Sequence, residues 1–166
     1  MPDQTPRGPR PTQSVVIRSL FDRLGPVENT RVLELFAGTG SVGIRALEAG
    51  AEQAVFVEMN RSIVRELALR LRKKGLEARA TVLHARVKRS LKLLSGRYFD
   101  WCFADPPYGF EGLEEELAGL EKLTRLVILE QSVRDKIPRL TGFVLEKTAR
   151  LRDVRLGFYR GLPGQL

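Results

Sequence analysis

The chain has 166 residues, 43% hydrophobic and 29% charged, which excludes wholesale disorder and collagen-like repeats and fits one domain with its own core. Lys and Arg number 28 against 20 Asp and Glu, a net charge of +8 that favours a polyanionic partner. One cysteine and one histidine exclude an internal disulfide and leave too few soft ligands for a zinc site. No apolar run approaches the roughly 18 residues of a spanning helix, and the N-terminal MPDQTPRGPRP lacks a signal-peptide core, so a metal-free, soluble, cytoplasmic domain is expected.

Residues 1–11 hold four prolines, a glycine and two arginines and read as an arm, leaving 12–166 as a single domain. Thr12 is placed to cap a helix through Leu24 that gathers Val16, Ile17, Leu20, Phe21 and Leu24 on one face. Strands and helices then alternate: strand Arg31–Phe36, helix Ser41–Ala49 stopped by Gly50, and strand Ala54–Glu58. Helix Asn60–Lys74 is expected to bury Ile63, Val64, Leu67 and Leu71 and to stop at Gly75. Strand Arg79–His84, helix Val87–Leu94 and strand Tyr98–Ala104 follow, then an acidic helix near Gly112–Leu123 and strand Leu126–Glu130. Phe143–Leu151 and Val154–Arg160 read as a hairpin turning at Arg152-Asp153. Strands that are near-continuous apolar runs, each followed by a helix, predict an α/β fold: a parallel sheet with helices on both faces, extended by a C-terminal antiparallel hairpin. Ligands of such sheets sit at the carboxyl ends of the strands, where strand order reverses.

Three strand ends carry chemistry. The first strand runs through Glu34-Leu35-Phe36-Ala37 into Gly38-Thr39-Gly40-Ser41-Val42-Gly43. Gly38 and Gly40 permit a turn tight enough for a ligand to touch backbone, and Gly43 permits close helix–strand packing. Glu58 ends the next strand, 20 residues after Gly38, where a carboxylate can accept from both hydroxyls of a ribose. That spacing also satisfies a dinucleotide fingerprint, but Glu34 would repel a pyrophosphate beside the loop and suits a ligand that is cationic there. Such a ligand is the ammonium and sulfonium of S-adenosyl-L-methionine. Met59 is placed against an adenine ring, a role a core methionine could equally explain.

The fourth strand ends in Asp105-Pro106-Pro107-Tyr108. The Asp105 carboxylate and the Pro106 carbonyl can both accept hydrogen bonds from one exocyclic NH2 group, with Pro106 and Pro107 stiffening the turn. Tyr108 offers a face on which an extruded base can stack. Two acceptors that localise the nitrogen lone pair and aim it at a methyl sulfonium would supply rate through positioning and electrostatics, without a metal.

With these motifs the chain resembles the RsmD family of bacterial 16S rRNA guanine-N2 methyltransferases, within the class I S-adenosylmethionine-dependent enzymes. Arg10-Pro11-Thr12, Val32 through Gly40, Glu58-Met59 and Asp105 through Tyr108 carry the resemblance, which runs in order from Arg10 onward. It implies a Rossmann-like class I methyltransferase fold with a seven-stranded sheet whose last strand is antiparallel. It further implies a cofactor pocket lined by Glu34, Phe36, Gly38, Gly40, Glu58 and Met59, an adenine contact from backbone near Ala85, and catalysis at the Asp105 turn. Ribosomal RNA, within a partly assembled small subunit, is the implied partner of a monomeric enzyme. Adenine-N6 methylation of DNA or RNA, NAD binding, and non-catalytic RNA binding are the alternatives.

Family members open with a basic hairpin before Arg-Pro-Thr, and only nine residues precede Arg10 here. The grip on RNA is therefore expected from elsewhere. Between Arg61 and Arg97 twelve Lys and Arg face two Glu, and Arg65, Arg72, Lys73 and Lys74, with Arg10 and Thr12, are the candidate RNA contacts.

Overall fold

The computed structural model describes residues 13–164; the arm at 1–11 with Arg10, and Thr12, lie outside the described residues. The chain runs α1 (Gln13–Leu24), β1 (Arg31–Leu35), α2 (Ser41–Glu48), β2 (Gln53–Glu58), α3 (Arg61–Lys73), β3 (Ala80–His84), α4 (Val87–Leu93), β4 (Trp101–Ala104), α5 (Leu113–Glu116), β5 (Leu126–Ser132), β6 (Phe143–Leu151) and β7 (Val154–Gly161). Seven strands form one sheet in the order β3-β2-β1-β4-β5-β7-β6. The first five are parallel, and β7 is antiparallel to both β5 and β6. Strand β6 therefore points the same way as the parallel five, and β7 alone runs against them.

Strand alternation divides the core into two layers. Val32, Phe56, Trp101, Phe103 and Ile128 face the side covered by α1, α2 and α3. Leu33, Leu35, Val55, Val57, Cys102 and Leu129 face α4, α5 and the loop around Leu120. The amphipathic reading of α1 holds: Val16 and Leu20 are buried, and Phe21 meets Trp101 edge-on with ring centroids 6.1 Å apart.

The boundaries moved where side chains took over backbone bonds. Asn60 precedes α3 rather than opening it, its side chain accepting the N–H groups of Ser62 at 3.0 Å and Ile63 at 3.2 Å. The strand expected from Tyr98 begins only at Trp101. Asp100 turns its carboxylate onto the Arg31 N–H at 2.7 Å, and Phe99 makes a lone bridge to Thr124. The acidic helix splits into α5 and a short 3-10 turn at Leu120–Lys122, because Gly119 adopts φ 102° between them. Leu113, Leu117, Leu120 and Leu123 are nonetheless all buried, so one apolar face continues through both pieces.

The chain builds β1, β2 and β3 outward to one edge, then returns to lay β4 on the other side of β1. That reversal leaves a crevice above the carboxyl ends of β1 and β4.

Candidate active site

The register sets Leu35 of β1 opposite Ala104 of β4, so Phe36 and Asp105 leave the sheet side by side. A cleft of about 860 Å³ opens there, lined by Glu34, Phe36, Glu58, Met59, Asp105 and Tyr108 among others. Its size suits a nucleoside-sized ligand.

Glu34 occupies a core position, paired in register with Phe56 on one side and Phe103 on the other, and is only 3% exposed. Its Oε2 accepts the N–H of Gly43 at 2.8 Å, in the first turn of α2, a helix whose Gly40 cap offers no side chain. The carboxylate thus both caps a helix and lines the cleft. Burial is the main force pushing its pKa from 4.5 up to about 8; the backbone bonds at Gly43 and Val42 oppose it, Asp105 adds to it and Arg70 opposes it. A cation in the cleft would draw it to the charged form.

After β1 the backbone turns sharply. Phe36 takes φ 54°, uncommon for a residue with a Cβ, and the Gly40 N–H donates to the Ala37 carbonyl at 2.8 Å. Gly38 (φ 54°) would meet nothing within 4 Å with an added Cβ, whereas a Cβ on Gly40 would collide with Leu67 and stand 3.1 Å from the Phe56 ring. Gly38 therefore presents open backbone, and Gly40 is required for packing.

Glu58 reaches across from β2 and is fixed at both oxygens. Its Oε2 accepts the Gly38 N–H at 2.9 Å and its Oε1 the Asn60 N–H at 2.9 Å. Each oxygen keeps acceptor capacity beyond its one backbone partner. Phe36, Glu58, Met59, Ala85 and Phe110 line an adjoining hollow of about 200 Å³, sized for a flat ring. The Ala85 N–H is turned to the Glu58 carbonyl at 3.2 Å, and His84 Nε2 lies 3.0 Å from the Met59 carbonyl oxygen.

Across the cleft, Asp105 is exposed, Pro106 buried and Tyr108 half-buried against the core. The Asp105 N–H points at the Leu35 carbonyl, 3.4 Å away, and the Phe110 N–H closes the turn onto the Pro107 carbonyl at 3.1 Å. Beyond the turn, the Gly109 N–H donates to Asp135 Oδ2 at 3.3 Å, and the Asp135 carbonyl accepts from Arg155 Nη2 at 2.8 Å. The turn is therefore buttressed from β7.

Residues 3–160 match the family described as Conserved hypothetical protein 95. Ribosomal RNA small subunit methyltransferase D of Haemophilus influenzae is 31% identical over 166 residues, covering 94% of this chain and 86% of that protein. The chain belongs to this RsmD family. The Escherichia coli member of the same name is 32% identical over 138 residues, covering 79% of this chain and 68% of that protein. Among solved structures, an Escherichia coli protein described as a candidate methyltransferase superposes with TM-score 0.79 at 28% identity, covering 94% of this chain and 89% of that one. A conserved hypothetical protein from Streptococcus pyogenes gives TM-score 0.76 at 30% identity, covering 87% and 94%.

The RsmD family is one of class I methyltransferases, the enzyme class expected from the sequence, and that class uses S-adenosylmethionine. The residues present fit such a cofactor. An acidic, buried floor at Glu34, open backbone at Gly38, a carboxylate with spare acceptor capacity at Glu58 and a flat hollow at Ala85 follow one another along the strand ends.

Two residues of this RsmD-family cleft were missed by sequence reading. Phe110 packs edge-on against Phe36 with centroids 5.5 Å apart and walls both cavities; only its closeness to Tyr108 signalled it. Glu130 lines the cleft from β5, as its place at the expected carboxyl end of that strand could have suggested. The basic candidates lie elsewhere. Because β2 and β3 are parallel, α3 must run from the cleft end of the sheet to the opposite end, about 20 Å over its 13 residues. Arg72, Lys73 and Lys74 thus sit far from Asp105, and Lys74 Nζ pairs with Glu48 at 2.6 Å. Arg65 is exposed in the first half of α3. No described helix is long and apolar enough to cross a membrane.

Proposed function

We propose that this chain transfers the methyl group of S-adenosylmethionine to the N2 amine of a guanine in small-subunit ribosomal RNA. The observation that carries it is the convergence of Glu34, Glu58 and the Asp105 turn on one cleft. The names of the relatives support RNA of the small subunit as the substrate.

When bound, the cofactor supplies an electrophilic methyl group on a sulfonium. Glu58, already held by Gly38 and Asn60, accepts from its ribose hydroxyls. Glu34 offers negative charge at its methionine end, and Phe36, Met59, Ala85 and Phe110 enclose the adenine. The Asp105 carboxylate and the Pro106 carbonyl accept the two N–H groups of the guanine amine. That removes nitrogen lone-pair density from conjugation and stabilises positive charge as the N–C bond forms and the methyl–sulfur bond breaks, the sulfonium leaving as a neutral thioether. Tyr108 stacks on the base and fixes its plane, and its half-buried packing keeps that platform rigid. The proton lost by the amine leaves by way of Asp105, which is open to water.

We further assign the chain a single catalytic domain over 12–166 with an arm at 1–11, acting as a monomer in the cytoplasm on RNA of a partly assembled subunit. Incubation with labelled S-adenosylmethionine and small-subunit particles, naked rRNA or DNA, followed by nucleoside analysis, tests the reading. The expected product is N2-methylguanosine. Label in adenine or in DNA, or tight NAD binding, would overturn it.

A further inference from the structure

We propose that a groove between α1, α2 and α3 holds the ribose–phosphate backbone of the RNA strand flanking the methylated nucleotide. The proposal rests on reading the cleft as an RNA methyltransferase site and adds where the substrate strand leaves it. The groove has a volume of about 620 Å³, and its lining includes Gln13, Ile17, Arg18, Arg45, Arg70 and Lys74. Gln13 and Ile17 also line the cleft, so the groove adjoins it along α1. A polynucleotide whose base enters the cleft meets this groove on the α1 side.

The charges along it differ in how committed they are. Four cations face two carboxylates, Asp22 and Glu48. Lys74 and Glu48 neutralise each other. Arg70 Nη1 donates to the Thr39 carbonyl at 3.1 Å, tying α3 to the glycine turn. Arg18 and Arg45 remain, with Asp22 the one carboxylate left to set against them. Neither is in a salt bridge among the described residues, where the pairs are Arg31–Glu52, Lys74–Glu48 and Arg160–Glu146. Arg45 lies over the Phe21 ring, 6.0 Å from its centroid. The attraction of a ring face for a guanidinium at that distance is weak and leaves its N–H groups for phosphate oxygens. Both residues are exposed. A shallow, cationic groove adjoining the base pocket suits a single RNA strand, whose charge is regularly spaced and whose backbone is flexible.

The test is a titration of a labelled rRNA fragment with the full chain across salt concentrations. R18A/R45A should lower the slope of log affinity against log salt by about 1.4, since each lost single-strand phosphate contact removes about 0.7. R18K/R45K should restore the slope, and R65A/R72A, outside the groove, should leave it unchanged. Calorimetry should show unaltered S-adenosylmethionine affinity in all three. An unchanged slope in R18A/R45A, an equal loss in R65A/R72A, or an equal loss of affinity for duplex DNA would overturn the groove. Failure of the wild-type chain to methylate any RNA would defeat the function reading instead, and the slope would still report on the groove.

Discussion

Replacing Glu34 by Gln should make the protein's stability rise relative to wild type as pH rises. The carboxyl is 3% exposed, and its pKa is pushed from 4.5 to about 8, mainly by burial. Between those values the unfolded chain has released the proton and the folded chain still holds it, so unfolding releases a proton and stability falls with pH. The favourable contribution is full below 4.5 and is lost as pH climbs to about 8. The loss runs at about 1.4 kcal/mol per pH unit and reaches about 3 kcal/mol by pH 7. A Gln side chain keeps an oxygen for the Gly43 N–H, 2.8 Å away in the wild type, and does not titrate. Urea unfolding of both proteins from pH 5 to 9, without cofactor, isolates the effect, because any constant difference between amide and carboxyl cancels. The variant should gain about 3 kcal/mol on wild type between pH 5 and 8. Parallel stability profiles would show that Glu34 ionises normally and that burial is not holding its proton.

Glu58→Ala should weaken S-adenosylmethionine binding by about 1–3 kcal/mol in calorimetry; because Glu58 also accepts the Gly38 N–H, Glu58→Gln should lose less. Asp105→Ala should slow methylation at least ~100-fold with cofactor affinity nearly unchanged, and near-normal turnover would make the turn purely structural. Tyr108→Ala should cost about 1–3 kcal/mol of transition-state binding through lost stacking, read in kcat/KM for RNA. Asp105→Asn should move the Glu34 titration downward, since the Asp105 charge helps hold that proton; a pH profile of stability identical to wild type would contradict the coupling.

What the sequence revealed of the site was local. Glu34, Gly38, Gly40, Glu58 and the Asp105 turn each lie within a few residues of an apolar strand, and an apolar run locates its own carboxyl end. Strand order then brings them together, as it must in a parallel sheet. What stayed hidden depended on partners distant in sequence. Asp100 shortened β4 by bonding Arg31, 69 positions away, and Phe110 joined the site through Phe36. Charge along a sequence has no direction in space, so the run in α3 could not show which of its residues lie near the cleft. Parallel pairing of β2 and β3 sends α3 away from the cleft, so Arg72, Lys73 and Lys74 sit toward its far end, while α1, read for its apolar face alone, carries Arg18 along the neighbouring groove.

The ring of Phe56 has a consequence for how this loop can change. A Cβ on Gly43 would strike Phe56 and stand 2.8 Å from Glu34 Oε2, and one on Gly40 would press the same ring. Phe56 thus limits both glycines, Gly43 directly and Gly40 together with Leu67, which stands closer still. Alanine at 43 becomes tolerable only if position 56 shrinks in the same step, so the pair should drift together through an ancestry or not at all. A designer wishing to stiffen the loop must begin beneath it, on the strand.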